Sequence, residues 1–107
     1  MFTRVVEIAT KPGKSQDVAN TITEKILPFL RQQPGFLDEV VLTSDMESNC
    51  VLAISFWKTK EDAERYDREQ FPKVNEILSN LIETSPVIRT FHVHTSTPHK
   101  IAADKAA

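Results

Sequence analysis

The sequence predicts an α+β domain: an antiparallel sheet of four strands with two helices on one face. Three observations carry that prediction. First, Cys50 to Trp57 is largely apolar at both even positions (Cys50, Leu52, Ile54, Phe56) and odd ones (Val51, Ala53, Ser55, Trp57). Side chains alternate across a strand, so such a strand must be covered on both faces. Second, Phe2 to Thr10 has the same character, with Val5, Val6, Ile8 and Ala9 spread over both faces and only Arg4 and Glu7 charged. Third, apolar residues recur at helical spacing in the two segments that follow these strands. The resulting order is strand, helix, strand, strand, helix, strand.

The first strand ends at the turn Lys11-Pro12-Gly13-Lys14, and Ser15 and Asp17 open the first helix. Val18, Ile22, Ile26, Phe29 and Leu30 form its apolar face. Pro28 removes a backbone hydrogen bond and is expected to kink or end the last turn, and Gln33-Pro34-Gly35 stops the helix. Phe36 to Thr43 is the second strand, and Asp38 and Glu39 mark it as an edge. Ser44 to Asn49 is a hairpin loop leading to the Trp57 strand. Thr59 and Asp62 have the spacing of a capping box at the start of the second helix. Ala63 and Tyr66 continue its face, Phe71-Pro72 interrupts it, and Val74, Ile77, Leu78, Leu81 and Ile82 form a further segment with Pro72 in its first turn. Val87 to Thr95 is the last strand. The domain therefore spans residues 1–95, with 96–107 as an aperiodic tail.

This order is the split βαβ plan of the ferredoxin-like fold, and the right-handed crossover rule puts the first and third strands at the centre. Both are the doubly apolar strands. Two helices cover only one face of the sheet, so the other predicts a homodimer joined sheet to sheet. The alternative is that short loops and the tail cover that face.

Composition narrows the function. At 107 residues the chain holds one domain, and 40% hydrophobic and 26% charged residues are those of a soluble globular protein. A net charge of −2 with no Lys/Arg run argues against a nucleic-acid partner. No apolar stretch has the length of a membrane span, and Met1-Phe2-Thr3-Arg4 does not open a signal peptide, so a cytoplasmic location is expected. The single Cys50 permits no internal disulfide and reads as a small core residue. Two glycines, Gly13 and Gly35, supply no phosphate-cradling loop, so no nucleotide cofactor is expected.

Three stretches in order carry a family resemblance: Lys11-Pro12-Gly13-Lys14 after the first strand, Gln33-Pro34-Gly35-Phe36 before the second, and Phe56-Trp57-Lys58-Thr59-Lys60-Glu61-Asp62-Ala63 at the strand-to-helix junction. Over about residues 2 to 95 the chain resembles the antibiotic biosynthesis monooxygenase family, whose members are dimeric α+β barrels. The resemblance implies oxygenation of small aromatic, phenol, quinol or polyketide-like substrates without metal or flavin. The haem-degrading branch of this superfamily has a Trp at the end of the third strand, which Trp57 matches. Its iron-ligating His falls near Asn75 here and its first-strand Asn near Val6. Asn75 is not a normal axial haem ligand, which argues against haem breakdown.

Candidate site residues follow. Trp57 is read as a pocket wall or, alternatively, as a core residue at the helix–sheet junction. Ala53 and Ser55 share its face and are small, leaving room above the sheet. Val6 and Arg4 on the first strand, Phe29 on the first helix and Asn75 on the second complete the expected substrate contacts. His92 and Tyr66 are the candidate catalytic groups, His92 because an imidazole titrates near neutrality and Tyr66 because its phenol can hydrogen-bond a ligand carbonyl. Arg4 and Arg89 could instead extend their charges to the sheet rim. His92 and His94 share a strand face but lack a third ligand, so no metal is expected. The expected activity is cofactor-free monooxygenation of a small aromatic molecule; the alternative is a non-catalytic small-ligand-binding dimer.

Overall fold

A computed structural model of the protein describes residues 1–97; His99 and most of the expected 96–107 tail lie outside the described residues. Strands β1 (Phe2–Ala9), β2 (Phe36–Thr43), β3 (Cys50–Trp57) and β4 (Val87–His92) form one sheet in the order β2-β3-β1-β4, antiparallel throughout. The two doubly apolar strands occupy the centre and the more polar β2 lies at an edge, as expected.

The first helical segment consists of α1 (Ser15–Thr21), a π-helical turn (Ile22–Ile26) and α2 (Leu27–Leu30). Pro28 precedes the end of the segment at Leu30 by two residues. It lies in the first turn of α2, directly after the π turn, where the Leu27 N–H reaches back five residues to the Ile22 carbonyl. Gly35 then turns the chain at φ +81°, and its carbonyl accepts the Lys58 N–H at 2.8 Å. Beyond β3, Thr59 caps α3 (Lys60–Glu69) by accepting the Asp62 N–H at 3.1 Å. Asp62 spends its own carboxylate on Arg65, 2.5 Å away. The chain breaks at Gln70 and restarts as α4 (Phe71–Leu78) with Pro72 in the first turn.

Sequence periodicity overestimates the last strand. β4 stops at His92, opposite Phe2, the first residue of β1, and beyond it the Val93 N–H reaches the Met1 carbonyl at 3.0 Å. His94 therefore lies beyond the strand. Cys50 also departs from expectation: it is half-buried at the start of β3, on the sheet face turned away from the helices, rather than in the core. Burial and the nearby Glu47 and Glu7 carboxylates push its thiol up, away from a reactive thiolate.

The core lies between helices and sheet, where Trp57, Ile8, Ile22, Leu30, Val18 and Val51 are fully buried. The opposite face presents Val5, Leu52, Ile54, Phe56, Val40 and Leu42, none of them fully buried.

Candidate functional site

Strand register lays the helix-facing side chains out in rows across the sheet. One row is apolar: Val41, Ala53, Val6 and Ile88. Another is aromatic: Phe36, Trp57, Phe2 and His92. Between them runs a polar row, Glu39 on β2, Ser55 on β3, Arg4 on β1 and Thr90 on β4. A polar row beneath helices is costly unless its groups find partners, and two of these groups lack one. Arg4 Nε and Glu39 Oε1 are both buried without a hydrogen-bond partner.

Arg4 is held from three sides. Its NH2 group donates to Asp67 Oδ1 on α3 at 2.6 Å, and its guanidinium carbon lies 4.2 Å from the centre of the Phe71 ring and 5.3 Å from that of Tyr66. These cation–π contacts suit a desolvated guanidinium, whose side chain is 4% exposed. A β-bulge puts Glu39 in the row. Register shifts between Phe36 and Asp38, so Phe36 pairs with Trp57 and Asp38 with the next residue, Phe56. Leu37 is the extra residue, and it allows Phe36 and Glu39 both to face the helices.

These groups line a cavity together with Val6, Ile8 and Ala53 from the sheet and Ile22, Ile26, Tyr66, Phe71 and Val74 from the helical layer. Counting its mouth it measures about 430 Å³, while its free interior of about 30 Å³ has room for roughly two waters. The π turn contributes Ile22 and Ile26 to the wall. Such turns recur at functional sites. A wider groove outside, between α3 and the β1/β4 side of the sheet, is lined by Phe2, Ala63, Asp67, Ile88 and Thr90, and again by Arg4.

Burial sets the protonation of the cavity. It pushes the Glu39 carboxyl up to about 7, against the pull of the Arg4 cation. The Tyr66 phenol is pushed well above its ordinary range by burial, again opposed by Arg4, so it stays a hydrogen-bond donor rather than a base.

Of the residues read from sequence, Arg4, Val6, Ala53, Ser55 and Tyr66 converge on this cavity. Trp57 is wholly buried behind it: its indole N–H donates to Ser55 Oγ at 2.9 Å and its ring packs on Tyr66 at 5.1 Å. Phe29 packs against the core without lining the cavity, and Asn75 on α4 is half-buried, its Oδ1 unpartnered, and also outside the lining. His92 is exposed at the end of β4 with its ring edge-on to Phe2, away from the cavity. Arg89 lies on the helix-free face, paired with Glu7 at 3.3 Å. Sequence reading missed Glu39, Asp67 and Phe71. An acidic residue on a strand otherwise able to bury its alternate positions was the one available signal for Glu39.

Among the described residues no cluster of three His, Cys, Asp or Glu side chains converges, and no helix is long and apolar enough to cross a membrane.

Solved structures of similar fold include two oxygenases and a protein of unknown function. A monooxygenase from the gene ActVA-Orf6 of Streptomyces coelicolor, solved with the ligand nanaomycin D, superposes with a TM-score of 0.77 at 17% identity, covering 92% of each chain. SnoaB, a cofactor-independent oxygenase from Streptomyces nogalater solved as the mutant N63A, gives 0.75 at 19% identity, covering 92% of this chain and 97% of its own. A Nitrosomonas europaea protein of unknown function gives 0.76 at 13% identity, covering 92% and 94%. At these identities the likeness establishes the fold. No curated protein matches the chain by sequence. The family model described as antibiotic biosynthesis monooxygenase matches residues 1–71, most of the described domain, and the chain belongs to that family.

Proposed function

We propose that the protein is a cofactor-independent monooxygenase whose substrate, a small phenol or quinol-like aromatic, binds in the cavity between helices and sheet. The observation that carries this reading is the convergence of Arg4, Ser55 and Tyr66 on an otherwise apolar cavity. Apolar walls accept an aromatic ring and exclude water, and fixed donors stabilise the oxygen on which negative charge develops. Two features supply that charge stabilisation here. The Arg4 guanidinium has a free Nε donor, and the Tyr66 phenol stays protonated.

The electrons come from the substrate. Loss of the hydroxyl proton gives an electron-rich phenolate that reduces O2. A C–O bond forms at an unsubstituted ring carbon ortho or para to the hydroxyl. Loss of that carbon's hydrogen and cleavage of the O–O bond then release water and leave a quinone. One oxygen atom enters the product and the other leaves as water. Family membership and the two oxygenases of like fold support this reading. The interior is small, so substrate entry requires the helical layer to move outward, and the π turn and the α3–α4 break are the two interruptions in that layer.

The same reading makes the functional unit a homodimer joined through the helix-free sheet face, whose central row is Val5, Ile54 and Val40. Oxygen uptake with a panel of substituted phenols and naphthols tests the activity. Saturable uptake matched by equimolar quinone is expected. No uptake together with no binding of any member would overturn the proposal.

A further inference from the structure

We infer that Glu39 is the proton acceptor of the cavity, and that with Arg4 it selects ligands whose ionisable hydroxyl sits beside or conjugated to a second oxygen. This inference rests on the cavity being the substrate site. It adds the identity of the base and the ligand feature that the base requires.

Geometry carries it. Glu39 and Arg4 flank Ser55, two strands apart, which puts their Cα atoms about 10 Å from each other. The short serine between them has its oxygen taken by the Trp57 N–H. Glu39 Oε1 and Arg4 Nε are thus a buried acceptor and a buried donor without partners, lining one cavity across a low saddle. A ligand hydroxyl between them gives its proton to the Glu39 carboxylate, and the resulting oxyanion takes up the Arg4 Nε–H. The O–H bond of the ligand breaks and a carboxyl O–H forms. The Arg4 charge, which before transfer acts on the Asp67 and Glu39 carboxylates, then faces the ligand anion. Before transfer the site holds one carboxylate and a neutral hydroxyl. Afterwards it holds a neutral carboxylic acid and an anion, so no charge is added to the buried site. A second oxygen conjugated to the hydroxyl spreads the negative charge and has the Tyr66 phenol as a donor. The ionisable groups that share the cavity with Glu39 are Arg4 from β1 and Tyr66 from α3.

4-Hydroxyacetophenone tests this without turnover, because its phenolate and phenol absorb at different wavelengths, its carbonyl supplies the conjugated oxygen, and it ionises at higher pH than the Glu39 carboxyl. It is titrated into the full-length protein at a pH above the Glu39 titration and below the dye's own pKa. Wild type is expected to bind the dye as phenolate without releasing protons to unbuffered solution. Glu39→Gln is expected to bind it as neutral phenol, and Glu39→Asp to recover part of the phenolate band. Phenolate bound equally by wild type and Glu39→Gln would overturn the assignment of Glu39 while leaving the cavity as the binding site. Neutral dye bound by wild type would do the same. No binding at all, with Trp57 emission showing a folded protein, would overturn both the cavity reading and this inference.

Discussion

The Trp57 indole N–H donates to Ser55 Oγ, two residues back on the same strand, and both groups are buried. The largest side chain of the core thus depends for its one polar satisfaction on the smallest polar residue of the cavity wall. Ser55→Ala leaves that N–H in an apolar environment and is expected to cost about 1–3 kcal/mol of stability, measured by urea unfolding. Trp57→Phe removes both the donor and ring area, at a cost of roughly 1–3 kcal/mol from the looser fit. The indole packs on Tyr66 and does not itself line the cavity, so a ligand there does not touch it.

The core of this site was legible in the sequence, and the reason is periodicity. Arg4, Val6, Ala53 and Ser55 lie on regular central strands, where alternation assigns faces without error. Glu39 was not legible, because strict alternation from the inward Phe36 places Asp38 inward and Glu39 outward. The bulge at Leu37 reverses that assignment, and no residue in Phe36-Leu37-Asp38-Glu39 announces it. His92 misled for a different reason. It does face the helix side of the sheet, but at the end of an edge strand the helical layer no longer covers it. Trp57 was placed correctly on its strand, yet sequence spacing alone does not separate a cavity wall from the packing behind it.

Gly35 joins the two halves of the domain. A Cβ added there would fall 2.1 Å from Asp62 Oδ2, and the residue holds φ at +81°. Both effects oppose substitution: a left-handed conformation with a Cβ costs about 1–2 kcal/mol and overpacking about 1–3 kcal/mol more. Gly35→Ala is expected to lower stability by the sum of these in thermal or urea unfolding. The clash includes the Asp62 Cβ, 2.6 Å away, so Gly35→Ala made in an Asp62→Gly background is expected to lose the overpacking part and keep the conformational part. Equal losses from Gly35→Ala in the wild-type and Asp62→Gly backgrounds would show that the contact with Asp62 is not limiting.

Glu39 gives stability a pH dependence of defined sign. Its carboxyl titrates near 7 in the folded protein and about 4.5 when unfolded. Between those values the folded state binds the extra proton, so stability falls as pH rises through this window, and the penalty is complete above it. Glu39→Gln removes the ionisation while keeping the shape. It is expected to be more stable than wild type at about pH 8, with the difference shrinking toward about pH 5. Denaturant midpoints at the two pH values measure this. A constant difference would show that Glu39 does not titrate differently in the two states.

The helix-free face predicts the oligomeric state. Ile54 lies at its centre, paired with Val5 on one side and Val40 on the other, with Leu52 and Phe56 two residues away on the same strand face. Around them Leu42, Phe91 and Val87 are 44%, 52% and 55% exposed. An apolar sheet face of this extent is removed from water when a second copy packs against it. Wild type is therefore expected to sediment as a dimer at micromolar concentration. Ile54→Lys places a charge at the middle of that interface while leaving the cavity side untouched, because Ala53 and Ser55 on either side point the other way. The variant is expected to sediment as a monomer with the Trp57 emission of the folded state, since its core does not include Ile54. A wild-type monomer, or a variant that remains dimeric, would place the contact between copies elsewhere on the molecule.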